Sequence, residues 1–412
     1  MSGADSLPPV TGADLAARFD LRTLDQAFLD NPYPTYHALR EHQPIHVADD
    51  GSVFLTRYAD VAQVYRDRTM SSDKREMFRP SLGDGPIYEH HTTSLVFNDP
   101  PYHTRVRRAI QGAMISRVLA TLRSGLETLV DDLLEAAASG PSFDLVTDFA
   151  AAIPVEVIGN LLAIPRAERG PLRQWSLSIL GALEPNISDA IRDEGDRAVR
   201  AFYDYLDGLI AVRRKHLRLD GSDALSLLIA ADTDGHRLTN DELIHNAIFL
   251  LNAGHETTTN LIANGVAALL ENPGEHERLR EQPQLLPSAV EEFLRYESSN
   301  QLGNRLVREQ TVVGGVVLTP GTSITLGIGA ANRDPDAFVD PDRLDISRDP
   351  NRHLAFGLGA HACAGMSLAR MEGRIAIGRI VARFPQLRAL PGAVRGGRAR
   401  FRGYLRYPVS VE

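Results

Sequence analysis

The sequence has little cysteine and no long apolar run, and both shortages exclude classes of protein. Cys363 is the only cysteine among 412 residues. No intramolecular disulfide can therefore form, and neither a zinc site built from several cysteines nor an iron–sulfur cluster has enough thiolates. The opening residues contain neither an apolar signal segment nor about 20 consecutive apolar residues. We therefore expect a cytoplasmic protein without a membrane anchor.

Basic residues are fewer than acidic ones. Lys and Arg total 44 against 53 for Asp and Glu, which gives a net charge of −9. This balance opposes non-specific attraction to nucleic acid or to anionic membranes. No repeat, low-complexity linker or break in composition divides the chain. We therefore treat residues 1–412 as a single domain that binds neither nucleic acid nor membrane.

Apolar residues recur three and four positions apart through most of the middle of the chain, which indicates helices. The predicted helices cover residues 101–112, 117–138, 188–216 and 239–270. Alternating or β-branched segments predict strands at 45–47, 53–56, 312–317, 323–326 and 404–411. Residues 69–97 show weak periodicity and predict a long loop of the kind that often forms a lid or binding loop. The fold class is therefore mainly α, a large helical body with a smaller β-rich corner.

The stretch from Phe356 to Gly365 crowds glycines around the single thiol. It reads FGLGAHACAG, and a helical run follows it. Glycines let the backbone pass close to a flat ligand and adopt positive φ, and the N-terminal N–H groups of the next helix point back at the sulfur. This environment favours a thiolate. A lone thiolate with backbone N–H donors suits a haem ligand.

Three other interpretations of this stretch start from the same residues. Cys363 could be a buried structural thiol, the commonest role of a lone cysteine. The spacing G-x-G-x-x-A from Gly357 fits a dinucleotide-binding fingerprint, but a poor strand precedes it and no acidic residue follows about 20 positions on. His353, His361 and Cys363 could bind zinc, but His361 and Cys363 are only two positions apart, without the spacing typical of such sites.

The residues from Phe356 to Gly365 resemble the haem-binding signature F-G-x-G-x-H-x-C-x-G of the cytochrome P450 family and match every specified position. The resemblance implies the cytochrome P450 fold, with haem b (iron protoporphyrin IX) between a long central helix and the helix after the cysteine loop. It implies that Cys363 binds the iron. It also places His361, Phe356 and Gly357 beside the cofactor.

A second segment, DPPYHTRVR at 99–107, resembles the helix of that family that binds a haem propionate. His103 and Arg107 lie four residues apart in it, so both can face the same ligand. Arg305 and His361 match the other propionate contacts of the family. Cationic and N–H donors suit two buried carboxylates.

A third segment, Glu292-Phe-Leu-Arg295, places a carboxylate and a guanidinium on one helix face. In the family such a pair joins an arginine from a Pro-rich meander in a buried ionic lock. Pro341-Asp-Arg343-Leu matches the meander, although two of its residues depart from the usual pattern. The resemblance therefore implies a structural lock of Glu292, Arg295 and Arg343 that keeps the cysteine loop in register.

The longest predicted helix begins at a capping box formed by Thr239 and Glu242 and ends before Pro273. Its middle, AGHETT at 253–258, combines glycine with clustered threonines, which weaken the helix ladder and predict a kink. From the residues alone, this stretch also fits a helix that tolerates polar side chains.

The same stretch resembles the A-G-x-(D/E)-T-T oxygen-activation motif of the family. The resemblance implies that Ala253 and Gly254 lie beside the cofactor. It implies that Glu256 and Thr257 are catalytic residues that relay protons.

The resemblance implies a monomeric monooxygenase that activates dioxygen and inserts one oxygen atom into a small organic substrate, by hydroxylation or O-dealkylation. Because the chain ends soon after the haem segment, we expect electrons from a separate ferredoxin with an NAD(P)H-dependent reductase. A peroxide-driven peroxygenase or a non-catalytic haem sensor would share the thiolate, but the pair of Glu256 and Thr257 favours dioxygen activation. Arginines around the haem motifs predict a basic docking patch for an acidic ferredoxin: Arg107, Arg108, Arg348, Arg352, Arg370 and Arg374.

Motif spacings also predict a substrate pocket that mixes apolar and polar side chains. Its predicted members are His91, Val96, Phe249, Asn252, Gln301 and Phe401. In ligand pockets, a few polar groups orient the ligand within a mostly apolar cavity. The mixture favours a small aromatic or terpenoid molecule that bears one polar function.

Overall fold

Helices supply most of the structure, a computed structural model that describes residues 11–220, 223–233 and 235–412. The helices are α1 (Gly12–Arg18), α2 (Gln26–Asp30), α3 (Tyr33–His42), α4 (Tyr58–Arg66), α5 (Arg75–Leu82), α6 (Pro86–Thr93), α7 (Tyr102–Ala113), α8 (Ser116–Ala137), α9 (Ala152–Leu161), α10 (Leu172–Gly181), α11 (Asp189–Lys215), α12 (Ala224–Ala230), α13 (Asn240–Glu271), α14 (Pro273–Glu281), α15 (Leu286–Tyr296), α16 (Ile328–Ala331) and α17 (Met366–Arg383). The strands are β1 (Ile45–Val47), β2 (Val53–Leu55), β3 (Met70–Ser71), β4 (Ser142–Asp144), β5 (Asp232–Thr233), β6 (His236–Arg237), β7 (Leu302–Val307), β8 (Thr311–Val313), β9 (Val316–Leu318), β10 (Ser323–Gly327), β11 (Arg388–Ala389), β12 (Val394–Arg395), β13 (Tyr404–Arg406) and β14 (Pro408–Ser410).

The four predicted helices are confirmed as α7, α8, α11 and α13, each with both ends within one residue of the prediction. Two of them start at side-chain caps, of which the one at Thr239 was predicted. The Ser188 hydroxyl accepts the N–H of Ile191 at the start of α11. Thr239 and Glu242 form the predicted capping box at the start of α13. A side-chain cap of this kind contributes about 1 kcal/mol, enough to define the first turn.

Helix α13 runs through the centre of the helical body. It buries side chains around most of its circumference, because α9, α10, α11, α15 and α17 all pack against it. Pro273 stands at the first position of α14 and separates the two helices, as predicted. The helix is continuous from Asn240 to Glu271, including residues 253–258.

The β-rich corner is confirmed as a five-stranded sheet in the order β1-β2-β10-β7-β3. The predicted hairpin of 45–47 with 53–56 is its β1–β2 pair, and β10 covers the predicted strand at 323–326. The predicted strand at 312–317 is wrong in one respect, since the segment is the hairpin of β8 and β9. Gly314 and Gly315 form its turn with φ of 52° and 86°, values that glycine adopts readily. The tail at 404–411 likewise forms two strands, β13 and β14.

The long loop predicted at residues 69–97 is also wrong. This segment contains β3, α5, α6 and a short 3-10 turn at Leu95–Phe97. Both helices have only eight residues, and Pro80 lies inside α5. A helix of two turns gives too short a window for a clear periodic signal.

Each helix of the described residues is either too short or too polar to cross a membrane. The mainly helical fold class is confirmed. The cysteine loop at 356–365 joins the β-rich corner to α17 and faces α13 across the body of the molecule. A cavity lies between these two elements.

Candidate active site

The cavity brings together the predicted site residues from distant parts of the chain. Its wall contains all of them except Glu256 and Gln301. The cysteine loop and α17 form one side, α13 forms the opposite side, and α6, α7 and β7 close the edges. Apolar side chains dominate the half of the cavity next to α13, and cationic side chains gather near β7 and α7.

The cysteine loop holds the thiol at the cavity wall. The backbone N–H of Cys363 donates to the carbonyl of Phe356 at 2.8 Å, which closes the loop on itself. Gly357 and Gly359 have φ of 62° and 71°. A Cβ on Gly359 would lie 2.6 Å from the backbone oxygen of Tyr65, so this position also requires glycine for space.

The surroundings of the sulfur act on the pKa of Cys363 in both directions. Burial raises the pKa, whereas the N–H of Gly365 and the guanidinium groups of Arg107 and Arg370 lower it. The same N–H and cationic groups would stabilise a thiolate once a metal binds it. The predicted contact of a backbone N–H with the sulfur is therefore present in the loop.

Cationic and imidazole groups stand at one end of the cavity, as predicted. The rings of His103 and His361 lie 3.9 Å apart between centroids. Burial is the main cause that lowers the pKa of His361 to about 2, and it lowers that of His103 as well, so both rings are neutral N–H donors. Arg305 is buried and lies 5.1 Å from the ring centre of Tyr65. Arg107 lines the same end.

These residues fit a flat metal macrocycle with two carboxylates. The thiol of Cys363 would supply one soft ligand to the metal, and Gly357 leaves the wall beside it free of a side chain. The Nε2 atom of His103 is buried and has no hydrogen-bond partner among the described residues. A buried polar atom of this kind requires a partner from outside the chain. Carboxylates at this end of the cavity would supply one.

The central turns of α13 present small residues to the cavity. Ala253 is exposed although Leu251 and Asn252 before it are buried, because it faces the cavity. Thr257 lies one turn later, and its hydroxyl donates to the Ala253 carbonyl at 2.6 Å. Gly254 meets α9 closely, since a Cβ there would lie 2.7 Å from Ile158. Gly254 therefore allows tight helix packing in this continuous helix.

Glu256 occupies a different side of α13 from Thr257. Its carboxylate lies 3.6 Å from the guanidinium of Arg398, which follows β12. Burial raises the pKa of Glu256, and the charge of Arg398 and a hydrogen bond with Asn260 oppose that rise. Glu256 is thus a partly buried carboxylate with a raised pKa, with 13% of its side chain exposed, and it lies directly beside the cavity-facing Thr257.

Five of the six predicted pocket residues line the cavity: His91, Val96, Phe249, Asn252 and Phe401. The structure places Gln301 elsewhere. Its side chain donates to the Ser298 carbonyl and packs against the backbone of Gly329, where it leaves no room for a Cβ. Its neighbours Asn300 and Leu302 face the cavity instead. The register of a short extended segment decides this direction, and motif spacing does not reveal that register.

The ionic lock exists, but one of its predicted members is wrong. Glu292 and Arg295 are fully buried and form a bidentate pair, with both N–O distances at 2.8 Å. The third member is Arg348, whose Nε lies 3.1 Å from the Glu292 carboxylate. Arg343 contributes only its backbone carbonyl, which accepts from Arg295, while its own side chain is exposed and faces Asp340 and Asp345.

Two cations of the cavity wall were not predicted from the sequence. Lys74 precedes α5 and Arg400 follows β12, and both line the cationic end of the cavity. Arg400 donates to the carbonyls of Leu183 and Leu302 and to the side chain of Asn304. Neither residue belongs to a sequence motif. The sequence signal for Lys74 is the rarity of lysine, since Lys215 is the only other one in the chain.

Comparison with known proteins identifies the class that this fold and site define. Residues 180–387 match the family described as Cytochrome P450. The chain is 39% identical over 392 residues to a vitamin D(3) 25-hydroxylase of Pseudonocardia autotrophica, a match that covers 93% of this chain and 94% of that protein. The chain belongs to the cytochrome P450 family.

Solved structures agree with this assignment. The structure of P450BioI in complex with an acyl carrier protein that bears hexadec-9Z-enoic acid has a TM-score of 0.89 at 33% identity, and the match covers 94% of this chain and 100% of that one. The structure of CYP109E1 from Bacillus megaterium with testosterone has a TM-score of 0.82 at 29% identity, with coverage of 93% and 99%. This protein is a cytochrome P450 monooxygenase, and the family implies a haem cofactor, an organic substrate, oxygen and redox partners.

Proposed function

We propose that the protein binds haem b through Cys363 and uses dioxygen to insert one oxygen atom into a small, mostly apolar substrate that bears one polar function. The observation that carries this proposal is the placement of the thiol, with the N–H of Gly365 beside it, across one cavity from Ala253 and Thr257. When bound, the haem supplies oxygen activation and the oxygen transfer itself. The net reaction consumes dioxygen, two electrons and two protons, and it yields the oxygenated product and water.

The haem would be oriented by the groups at the cationic end of the cavity. His103, Arg107, Arg305 and His361 would hold its propionates, and Phe356 and Gly357 would pack beside Cys363. The Arg107 and Arg370 guanidinium groups and the Gly365 N–H would stabilise the thiolate form of Cys363.

Proton supply would pass along α13 through two adjacent residues. The Thr257 hydroxyl donates to the Ala253 carbonyl and faces the cavity, so it can donate to a group bound there after a small rotation. Glu256 lies on the side of Arg398, away from the cavity wall, and its raised pKa suits a group that takes up and releases protons. We assign Thr257 to proton donation at the reacting oxygen and Glu256 to proton uptake from the surrounding water.

The polar groups of the pocket favour a neutral polar function on the substrate. Neither the nitrogen nor the oxygen of the Asn252 amide has a hydrogen-bond partner among the described residues, and the same holds for the Nε2 atom of His91. Burial lowers the pKa of His91 to about 3, so its imidazole is uncharged. A hydroxyl or carbonyl group suits such donors and acceptors. An aromatic or terpenoid skeleton would pack against Val96, Phe249 and Phe401.

A ligand screen tests the substrate class. Matched pairs of ligands, a terpenoid or aromatic alcohol and its parent hydrocarbon, would be titrated while the Soret band is recorded. We expect the alcohols to produce the shift that accompanies loss of iron-bound water. Asn252→Leu should weaken the binding of the alcohols about tenfold and leave the binding of the hydrocarbons unchanged. A shift with long saturated fatty acids alone would contradict the proposed class.

Electrons would come from a separate ferredoxin and its NAD(P)H-dependent reductase. In a reconstituted system, nicotinamide consumption should depend on substrate, ferredoxin and reductase together. Turnover at full rate with hydrogen peroxide alone would instead assign a peroxygenase. Haem binding without any turnover in either system would assign a haem sensor.

A further inference from the structure

Lys74 is a buried ammonium group without a partner in the protein. It is 2% exposed and lines the cavity. Its Nζ atom makes no hydrogen bond within the described residues. Lysine is almost never fully buried unless it is paired. The chain otherwise relies on arginine for positive charge, and its second lysine, Lys215, is exposed in the last turn of α11.

The nearest charges make this burial less favourable. Burial and the neighbouring charges of Arg305 and Arg400 lower the pKa of Lys74 to about 7, against the opposing effects of Asp99 and Asp73. Arg400 has carbonyl and amide acceptors of its own. Lys74, Arg305 and Arg400 therefore lie close together at the cationic end of the cavity. Arg305 donates to the carbonyl of Asn304, so of these three groups Lys74 is the one whose N–H bonds have no acceptor within the described residues.

The nearby carboxylates do not bind Lys74. The Asp99 carboxylate accepts from the hydroxyl of Ser71 and from the backbone N–H of Ser72, and it lies 3.7 Å from the guanidinium of Arg308. The Asp73 carboxylate accepts from Arg75. Neither carboxylate has a hydrogen bond or an ion pair with Lys74 within the described residues.

A buried ammonium beside two guanidinium groups is costly unless an anion joins them. Lys74 is buried in the protein but lines the cavity, so an anion would reach its ammonium group from the cavity. We propose that Lys74 binds one of the two haem propionates together with Arg305, as a cofactor contact outside the sequence motifs of the family. The proposal rests on haem binding by this protein. A substrate carboxylate offers the same chemistry and is the alternative that the experiments must separate.

Haem transfer to excess apomyoglobin measures the contact directly. Lys74→Met keeps the length of the side chain and removes its charge, and Lys215→Met is the matched control at an exposed site. We expect Lys74→Met to release haem about 10- to 100-fold faster than the parent protein, because it loses a hydrogen bond between charged groups. Lys215→Met should match the parent, and Lys74→Arg should retain most of the affinity.

A second cofactor identifies the group that Lys74 binds. Haem dimethyl ester carries no propionate charge, so the parent protein and Lys74→Met should release it at equal rates. Equal rates of release of ordinary haem by the parent and Lys74→Met would overturn the proposal. It would also be overturned if the ratio of the two release rates were the same for haem dimethyl ester as for ordinary haem. Normal haem release together with a loss of binding only for carboxylate ligands would overturn it in favour of a substrate carboxylate.

The unfolding temperature of the haem-free protein supplies a readout that a merely structural lysine would not give. Lys74→Met should raise that temperature, because it removes an uncompensated buried charge, while it weakens haem retention. A lower temperature in the haem-free variant would contradict the proposal. Haem release measured in the Cys363→Ser background separates this contact from iron ligation: the effect of Lys74→Met should persist there even if the role of Cys363 were wrong.

Discussion

Glu256 and Arg398 face each other at 3.6 Å, which ties the central helix to the segment that follows β12. Arg398 also donates to the Leu177 carbonyl near the end of α10. Next to it, the Glu184 carboxylate accepts the backbone N–H groups of Ala399 and Arg400. The charge that opposes the rise in the pKa of Glu256 thus belongs to a segment attached to the α10–α11 connection. The protonation of Glu256, the group proposed to take up protons, therefore depends on that segment.

Arg398→Gln tests this relationship through pH. Loss of the guanidinium removes a charge that lowers the pKa of Glu256, so that pKa should rise further. Glu256 must be deprotonated to take up a proton, and turnover therefore falls as pH drops through its pKa. The acid limb of the rate profile should move to higher pH. Arg383→Gln, at an exposed pair with Glu135, is the control, and superimposable profiles for the three proteins would contradict the role of Arg398.

Glu256→Gln should slow turnover without changing substrate binding. An amide has the shape of the carboxylate but cannot pick up and pass on protons. Rates of product formation and substrate-induced Soret shifts are the two measurements. A loss of about tenfold or more in rate with unchanged shifts is expected. Wild-type rates would exclude Glu256 from proton supply.

Thr257→Ala should uncouple electron consumption from product formation. The variant loses the hydroxyl that donates to the Ala253 carbonyl, and alanine favours the helix, so folding and haem content should survive. Nicotinamide oxidation should continue while a larger share of the oxygen leaves as peroxide. Thr259→Ala on the same helix is the matched control, because its hydroxyl donates to the His255 carbonyl in the same way. Equal product per nicotinamide in both variants would make the Thr257 hydroxyl merely structural.

Arg348→Ala should destabilise the fold, and Arg343→Ala should not. The Arg348 side chain is largely buried and forms an ion pair with the Glu292 carboxylate. Its loss should lower the free energy of unfolding by about 2 kcal/mol. Arg343 is exposed, so its replacement should cost within about 0.5 kcal/mol. Thermal unfolding with bound haem compares the two variants. A larger loss of stability in Arg343→Ala than in Arg348→Ala would instead support the lock of Glu292, Arg295 and Arg343 that the sequence predicted.

The first electron transfer should slow as salt rises, because an acidic ferredoxin would dock near exposed arginines on the cysteine side. The structure narrows the predicted patch. Arg348 is committed to the lock, and Arg370 pairs with Glu291, whereas Arg352 and Arg374 are exposed. Arg352→Glu should lower the rate at low salt.

The matched control for this charge reversal is Arg200→Glu on α11, which packs against α10 and α13, away from the cysteine loop. It should leave the transfer rate at the parent value. Salt-independent rates, or equal effects of the two variants, would count against docking by charge.

The sequence predicted those parts of the molecule that local patterns determine. The capping box of Thr239 and Glu242 defines the start of α13, and Gly357 and Gly359 adopt positive φ within the cysteine loop. Each of these features depends on residues a few positions apart. Motifs of this kind identified Cys363 and Thr257, and the structure places both residues in the wall of one cavity.

Features that depend on the direction of a side chain in an irregular segment could not be predicted. Arg343 and Arg348 lie five residues apart in a meander without periodicity, so spacing alone did not reveal which one turns inward. Gln301 likewise points away from the cavity between two residues that face it. The role proposed for Lys74 depends on its burial near the charge of Arg305. The two residues come from distant segments, and Lys74 belongs to no motif.

The absorption spectrum of the carbon monoxide complex of the reduced protein tests the central claim most directly. In the parent protein, thiolate ligation by Cys363 should give a strongly red-shifted Soret band. In Cys363→Ser this band should be absent even when the variant retains haem, because a hydroxyl group cannot donate as much charge to the iron as a thiolate. A Cys363→Ser protein that keeps the red-shifted band would contradict the assignment of Cys363 as the iron ligand and, with it, the proposed function.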